Sequence, residues 1–178
     1  MSNFRAITLI LVLLFLTACA APASREAMNI SEADRVLYSD NHYLSEKVVV
    51  GTVSGGEDTN PAWTSEIGNV EFSGALSDSL QTARLLNNFA LSEYVLNAEL
   101  LEVDQPFFGL TLTVETKVHY QLLNKEGGAV LIDEVIIAEG TATTGDAFMG
   151  VKRLAMATER SAQESIKSMI DILYAYEP

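Results

Sequence analysis

The stretch LTLTVETKVHYQL, residues 110–122, decides the fold because its side chains alternate most regularly between apolar and polar. The apolar set is Leu110, Leu112, Val114, Val118, Tyr120 and Leu122. Successive side chains of a strand point to opposite faces, so this pattern predicts a strand with one buried face and one face in water. Antiparallel sheets tolerate a wet face, whereas parallel sheets are covered on both sides.

Three further strands are predicted around this one. KVVVGTVSGG at 47–56 is a β-branched run that ends in two glycines, which predicts a strand followed by a loop. YVLNAELLEV at 94–103 places Tyr94, Leu96, Ala98 and Leu100 on one face. AVLIDEVIIAEGTAT at 129–143 is long and apolar on parts of both faces.

Two segments have the apolar spacing of a helix face. The first comprises Phe72, Leu76, Leu80, Ala83 and Leu86, and the asparagines at 87–88 are its predicted end. The second runs from Val151 and comprises Leu154, Thr158, Ala162, Ile166, Met169 and Leu173. The predicted order is β-α-β-β-β-α. We therefore expect an α+β domain of two layers, a mainly antiparallel four-stranded sheet with both helices on one face.

The beginning of the chain has the pattern of an export signal. A polar start with Arg5 precedes an apolar run at 6–16, which is too short to span a bilayer but suits a secretory signal peptide. Leu16-Thr17-Ala18 then leads into Cys19, the only cysteine of the 178 residues. A single cysteine has no partner for a disulfide within the chain.

Leu-Thr-Ala-Cys at 16–19 resembles the bacterial lipobox. The resemblance implies cleavage before Cys19, a diacylglycerol on its thiol and an acyl chain on its new amino group. Ala20 stands where an aspartate favours retention in the inner membrane, so the resemblance implies an outer-membrane location. We expect a signal peptide at 1–18, the acylated cysteine and a flexible tether at 19–46, and a single periplasmic domain at 47–178.

The charge excludes one class of function. The formal net charge is −13, and removal of residues 1–18 takes away Arg5 and makes it −14. Such a surface repels nucleic acid and anionic lipid head groups, so we expect no nucleic-acid partner.

The strand order places three loops at one end of the sheet, and the tether is expected to enter at the opposite end. These loops contain the large apolar residues Trp63, Phe107, Phe108, Phe148 and Met149. Two interpretations stay open at this stage. The side chains either cap the core, or they form an apolar patch or cleft, away from the membrane, that receives a partner protein or an acyl chain.

No catalytic pattern is found in the sequence. His119 lies on the polar face of its strand and His42 in the tether, and neither has metal-ligand spacing. There is no G-x-S-x-G elbow, and an acylated Cys19 offers no thiol. We therefore predict no enzymatic activity, no metal and no cofactor beyond the covalent lipid.

From about Val48 to Leu173 the chain resembles small bacterial outer-membrane lipoproteins, including the auxiliary lipoproteins of ABC-type transport systems. The similar stretches are NPAWTSEIGNVEF, YVLNAELLEVDQPFFGLTLTV and GDAFMGVKRLA. This resemblance implies a non-enzymatic adaptor or accessory in envelope assembly, transport or maintenance. The alternative is an accessory that binds a lipid or glycolipid in an apolar cleft. An enzyme such as a hexapeptide-repeat acyltransferase fits less well, because the chain lacks that repeat.

Overall fold

The computed structural model describes residues 22–39, 41–57 and 65–177. Two short elements come first, helix α1 at Arg25–Met28 and a 3-10 helix at Glu32–Leu37. The main elements follow in the predicted order: β1 Val48–Ser54, α2 Asn69–Thr82, β2 Tyr94–Asp104, β3 Leu112–Asn124, β4 Val130–Ala142 and α3 Gly150–Ala175.

The four strands form one sheet in the order β1-β2-β3-β4. β1 and β2 are parallel, joined by the crossover helix α2, while β2–β3 and β3–β4 are antiparallel. The predicted α+β class and the mainly antiparallel sheet are therefore confirmed. β1, β2 and β4 all finish at the same end of the sheet, which we call the loop end.

The alternation in the sequence determines which face of the sheet is buried. Val114, Val118, Tyr120 and Leu122 of β3 are fully buried beneath the helices. One face of α3 is buried along its length, and its buried residues include all six that were predicted from the spacing. The other sheet face is exposed or half-buried at its described positions and mixes polar residues with apolar ones such as Val135 and Ile137, so helices cover one side only.

The first main helix ends earlier than its apolar spacing predicts. It stops at Thr82, because Arg84 adopts a left-handed backbone conformation with φ of 60° that a helix cannot continue through. Ala83 and Leu85 are still buried, but they reach the core from the turn after the helix. The apolar positions were thus read correctly up to Ala83, whereas the stop at residues 87–88 was wrong.

The expectation of a flexible tether up to residue 46 is wrong for the described part of that segment. Residues 22–39 contact α2 and α3, and residues 41–46 contact the end of α3, the turn after α2 and the start of β2. Their buried side chains are Ala23, Met28, Ile30, Tyr38 and Leu44. The segment is fixed because these apolar groups complete the core, so the described residues before 47 belong to the folded domain.

Polar contacts hold the same segment to both helices. Arg25 makes a bidentate pair with Asp78 of α2 at 2.5 and 2.6 Å, and this arginine holds the pKa of Asp78 below its usual value. The backbone N–H and the hydroxyl of Ser24 both donate to Glu159 of α3 at 3.0 Å. The Tyr38 hydroxyl donates to Asp171, further along α3.

Candidate functional site

Large apolar side chains are exposed at the loop end. Phe107, Phe108 and Phe148 are between 90% and 101% exposed, Leu110 is 77% exposed and Met149 is 48% exposed. We call these five residues the apolar cluster. The interpretation that the predicted loop residues cap the core is therefore wrong for the four of them that are described. Trp63, the fifth, lies outside the described residues.

Arg153 holds together the two loops that carry the apolar cluster. Its side chain belongs to the first turn of α3 and is only 6% exposed. Its guanidinium donates to the carbonyls of Ala147 and Phe148 in one loop, at 3.0 and 2.7 Å, and to the carbonyl of Gly109 in the other, at 3.0 Å. A guanidinium presents several donors in a fixed plane, so one residue fixes both loops.

A second set of hydrogen bonds, centred on Asp146, stabilises the loop between β4 and α3. The Asp146 carboxylate accepts from the backbone N–H and the hydroxyl of Thr143 and from the Arg160 guanidinium at 2.7 Å. These three donors, with Arg160 the strongest, hold the pKa of Asp146 far below its usual value. The turn thus stays closed around an ionised carboxylate, and Phe148 follows two residues later.

The sequence did not predict the roles of two residues at the loop end, Leu110 and Arg153. Leu110 was assigned to the buried face of the third strand, but β3 begins at Leu112 and Leu110 is exposed. The break falls at Gly109, whose φ of 157° and close approach to Thr111 belong to the loop. Arg153 was read as one polar residue of the last helix, and nothing in its spacing distinguished it from its neighbours.

The position of Ala23 revises the expected entry of the chain. The Ala23 backbone N–H donates to the Glu66 carbonyl at 3.2 Å, and Ser65 exchanges hydrogen bonds with the Gln105 side chain. Gln105 directly follows β2 and lies two residues before Phe107. The described chain therefore starts at the loop end, where Ser65 and Gln105 connect it to the loop of Phe107, and the expected entry at the opposite end is wrong.

A cleft of about 170 Å³ also opens at the loop end. Residues 55–57, 66–67 and 100–103 line it, and its lining includes the carboxylates of Glu57, Glu66 and Glu102. Small-molecule sites usually have about 300–1,000 Å³ and are lined mainly by apolar groups. The described part of this cleft is thus smaller and more acidic than an acyl-chain pocket.

The histidines have structural contacts. His119 lies on the open sheet face, where its Nε2 atom is 2.5 Å from Asp133 and its Nδ1 atom 4.0 Å from Glu99. The hydrogen bond from His119 lowers the pKa of Asp133. His42 packs on the Tyr174 ring at 4.5 Å between centroids. Within the described residues, no group of three or more His, Cys, Asp or Glu side chains is arranged to hold a metal ion.

The same described ranges hold no helix that combines the length and the apolar character needed to cross a bilayer.

Comparisons with known proteins define the class of fold. A scan against protein-family models finds no match, and neither does a search of the curated proteins. Solved structures, in contrast, share the α+β architecture over about three quarters of this chain. At identities of 10–17%, this similarity shows the fold alone.

Three of these structures come from bacteria. A candidate lipoprotein from Caulobacter crescentus CB15 is 17% identical, covers 74% of this chain and 90% of its own, and has a TM-score of 0.50. A DUF330 protein from Xanthomonas campestris is 10% identical over 71% of this chain and 82% of its own, with a TM-score of 0.53. Protein CT253 from Chlamydia trachomatis is 13% identical over 74% of this chain and 99% of its own, with a TM-score of 0.51.

Proposed function

We propose that this protein is a lipid-anchored lipoprotein of the bacterial envelope that works by docking rather than by catalysis. Cys19 carries the lipid, and the apolar cluster of the loop end is the docking surface. The observation that carries the proposal is the exposure of three phenylalanine rings in two loops that one buried arginine holds together. Contiguous exposed apolar side chains are typical of interaction sites. The role is that of an adaptor or accessory in envelope assembly, transport or maintenance.

The alternative of a lipid-binding cleft has less support. The apolar side chains of the loop end point outward into solvent instead of lining a cavity. The described cleft beside them is small and bears three carboxylates. Native mass spectrometry of the mature chain tests the alternative, since a co-purified acyl lipid would favour a cleft over a docking surface.

The lipid anchor is tested by metabolic labelling with a palmitate analogue in the bacterial host. The wild-type chain is expected to incorporate the label and to fractionate with the outer membrane. Cys19→Ser is expected to lose the label and to remain uncleaved. Ala20→Asp is the matched control, which keeps the lipid and shifts the protein toward the inner membrane. An unlabelled wild-type chain would contradict the anchor.

The docking surface is tested by photocrosslinking in cells. A photoreactive residue at Phe108 or Phe148 is expected to give specific adducts, whereas the same residue at Leu91 is expected to give none. Leu91 is also exposed, at 68%, but it lies between α2 and β2 at the end opposite the apolar cluster. Equal adducts from both ends, or none from the loop end, would contradict the proposal.

A further inference from the structure

We propose that the apolar cluster docks on the surface of the same bilayer in which Cys19 is anchored. This inference rests on the proposed lipid anchor and names the partner of the proposed docking surface as the membrane itself. The loop end then faces the lipid, and the open face of the sheet stands away from it at the side of the domain.

The first step is the reach of the chain. Ala23 is four positions after Cys19, and a fully extended chain covers at most about 3.3–3.6 Å per residue. Cys19 therefore lies within about 14 Å of Ala23, wherever those residues run. The lipid on Cys19 brings the membrane surface within that distance of Ala23.

The second step is the position of Ala23. It is hydrogen-bonded to Glu66, and the preceding residue, Ser65, is held by the Gln105 side chain at 2.8 Å. Phe107 follows Gln105 by two residues, a span of at most about 7 Å. The residue from which the anchor extends, Ala23, is thus connected by these contacts to the loop that carries Phe107.

The third step excludes the opposite end as the membrane-facing one. Glu46, at the end of the N-terminal segment, donates its N–H to Arg84 beyond the last turn of α2. The 14 residues of α2 make it about 21 Å long. Phe89 and Leu91 are exposed beyond that helix end. An orientation in which only this opposite end faces the membrane would require the chain from Cys19 to cover the length of α2, which exceeds its reach of about 14 Å.

The chemistry of the loop end favours lipid over a charged partner. The cluster contributes three phenylalanines, one leucine and one methionine, which gain free energy on leaving water. The Arg153 charge beneath them is buried and bonded to backbone carbonyls. The chain as a whole is strongly acidic, so attraction to the bilayer must come from apolar insertion rather than from anionic head groups.

The test uses the mature lipidated protein in phosphatidylcholine vesicles. Acylated Cys19 does not react with a thiol dye, so Leu110→Cys and Leu91→Cys each give one labelling site. Both variants replace an exposed leucine, one in the apolar cluster and one at the opposite end. An environment-sensitive dye at residue 110 is expected to be quenched at least about twofold by nitroxide-labelled lipid, and the dye at 91 to be unchanged.

A second pair of variants tests whether the phenylalanines cause the docking. Phe107→Ser with Phe108→Ser, in the Leu110→Cys background, is expected to abolish most of the quenching while the protein still floats with the vesicles. Phe89→Ser, which removes an exposed ring at the opposite end, is expected to leave it unchanged. Because the affected rings are exposed, the variants are expected to be as stable as the parent protein. Equal melting temperatures will verify that they all fold.

The outcomes separate the two proposals. A protein that does not float with the vesicles contradicts the lipid anchor of the proposed function. A protein that floats but shows no quenching at residue 110, or equal quenching at 110 and 91, contradicts bilayer docking and leaves the anchor intact. A replacement of about 30% of the lipid by phosphatidylglycerol is expected not to strengthen quenching at 110. A clear increase would show that charge, not apolar insertion, holds this end to lipid.

Discussion

Met28 is fully buried although it lies in a segment whose composition is typical of a linker. Met28→Ala would leave a cavity beneath α1, and truncation of a fully buried methionine costs about 2–5 kcal/mol in free energy of unfolding. We expect a loss in this range in urea unfolding of the mature chain. Val36→Ala, at a position 86% exposed, is the control and is expected to change stability by less than about 0.5 kcal/mol. Equal losses of stability in the two variants would contradict the conclusion that this segment is fixed in the core.

Arg153 offers a second test at a single residue. Arg153→Met keeps the apolar stem and removes the donors to three carbonyls, and hydrogen bonds to charged groups contribute about 1.5–3 kcal/mol each. We expect a net loss of at least about 2 kcal/mol and faster hydrogen exchange at 107–110 than in the wild type. Arg35→Met, at an exposed arginine 3.9 Å from Glu32, is expected to cause neither change. Unchanged exchange in the Arg153 variant would contradict its role as a clamp.

The contacts of Arg153 could not be predicted from the sequence. Its three acceptors are backbone carbonyls of two loops, one of them 44 positions away in the chain. Backbone carbonyls carry no residue-type signal, so no spacing rule connects Arg153 to Gly109. The large apolar residues of the loops could be predicted as candidates for a docking site, because such side chains are unusual in turns. Their exposure could not be predicted, because it depends on the contacts of Arg153 with the loop backbones.

At the scale of elements, the turn from β4 to α3 depends on the ionised carboxylate of Asp146. Its pKa is lowered in the folded state, so its contribution is present above the unfolded pKa near 4 and is lost as pH falls through the lower folded value. Asp78 and Asp133, with pKa values also lowered, act in the same direction. We expect the unfolding midpoint of the wild type to fall as pH is lowered from 5 to 2.

Asp146→Asn tests whether the Asp146 carboxylate contributes to this pH dependence of stability. The variant is expected to be less stable than the wild type at pH 6, and the difference is expected to shrink as pH approaches 2, because Asp146 of the unfolded wild type takes up a proton there that the folded carboxylate resists. Glu126→Gln, which removes one negative charge in the β3–β4 turn, is the control for net charge. A stability difference between the wild type and Asp146→Asn that stays constant across the pH range would contradict the role of the ionised Asp146 carboxylate.

The packing of α3 on β4 depends on Gly140. A Cβ atom at this position would lie 2.2 Å from the Ala157 carbonyl oxygen and 2.2 Å from the Ser161 nitrogen. Gly140→Ala therefore forces the helix away from the strand, and overpacking of this kind costs about 1–3 kcal/mol or more. Thermal unfolding is expected to show this loss. Gly127→Ala, where a Cβ atom meets nothing within 4 Å, is the control and is expected to have little effect on stability.

At the scale of the whole molecule, the sequence predicts the elements of the domain but not the packing of residues 22–39 and 41–46 on them. The order of strands and helices follows from periodicity, since each element repeats its apolar positions at 2 or 3.6 residues. The buried residues at 23, 28, 30, 38 and 44 have no such period. They are positioned by tertiary contacts with α2 and α3, which only the assembled fold provides.

With the proposed lipid anchor at Cys19, this segment reverses the orientation that a flexible tether would give the molecule. A flexible tether that entered at residue 46 would place the loop end away from the membrane. The observed segment instead runs the length of α2 and starts beside Glu66. The residues proposed for docking are the same for both orientations, but their proposed partner changes from a distant surface to the membrane near Cys19.

The most direct test of this account is a pair of electron-spin distances in the mature chain made without lipid. Cys19, the only native cysteine, carries one spin label, and Leu110→Cys or Leu91→Cys carries the other. We expect the mean distance from Cys19 to residue 110 to be shorter than that to residue 91 by on the order of 10 Å. A shorter distance to residue 91, or two equally broad distributions centred near the roughly 30 Å of a flexible tether, would contradict it.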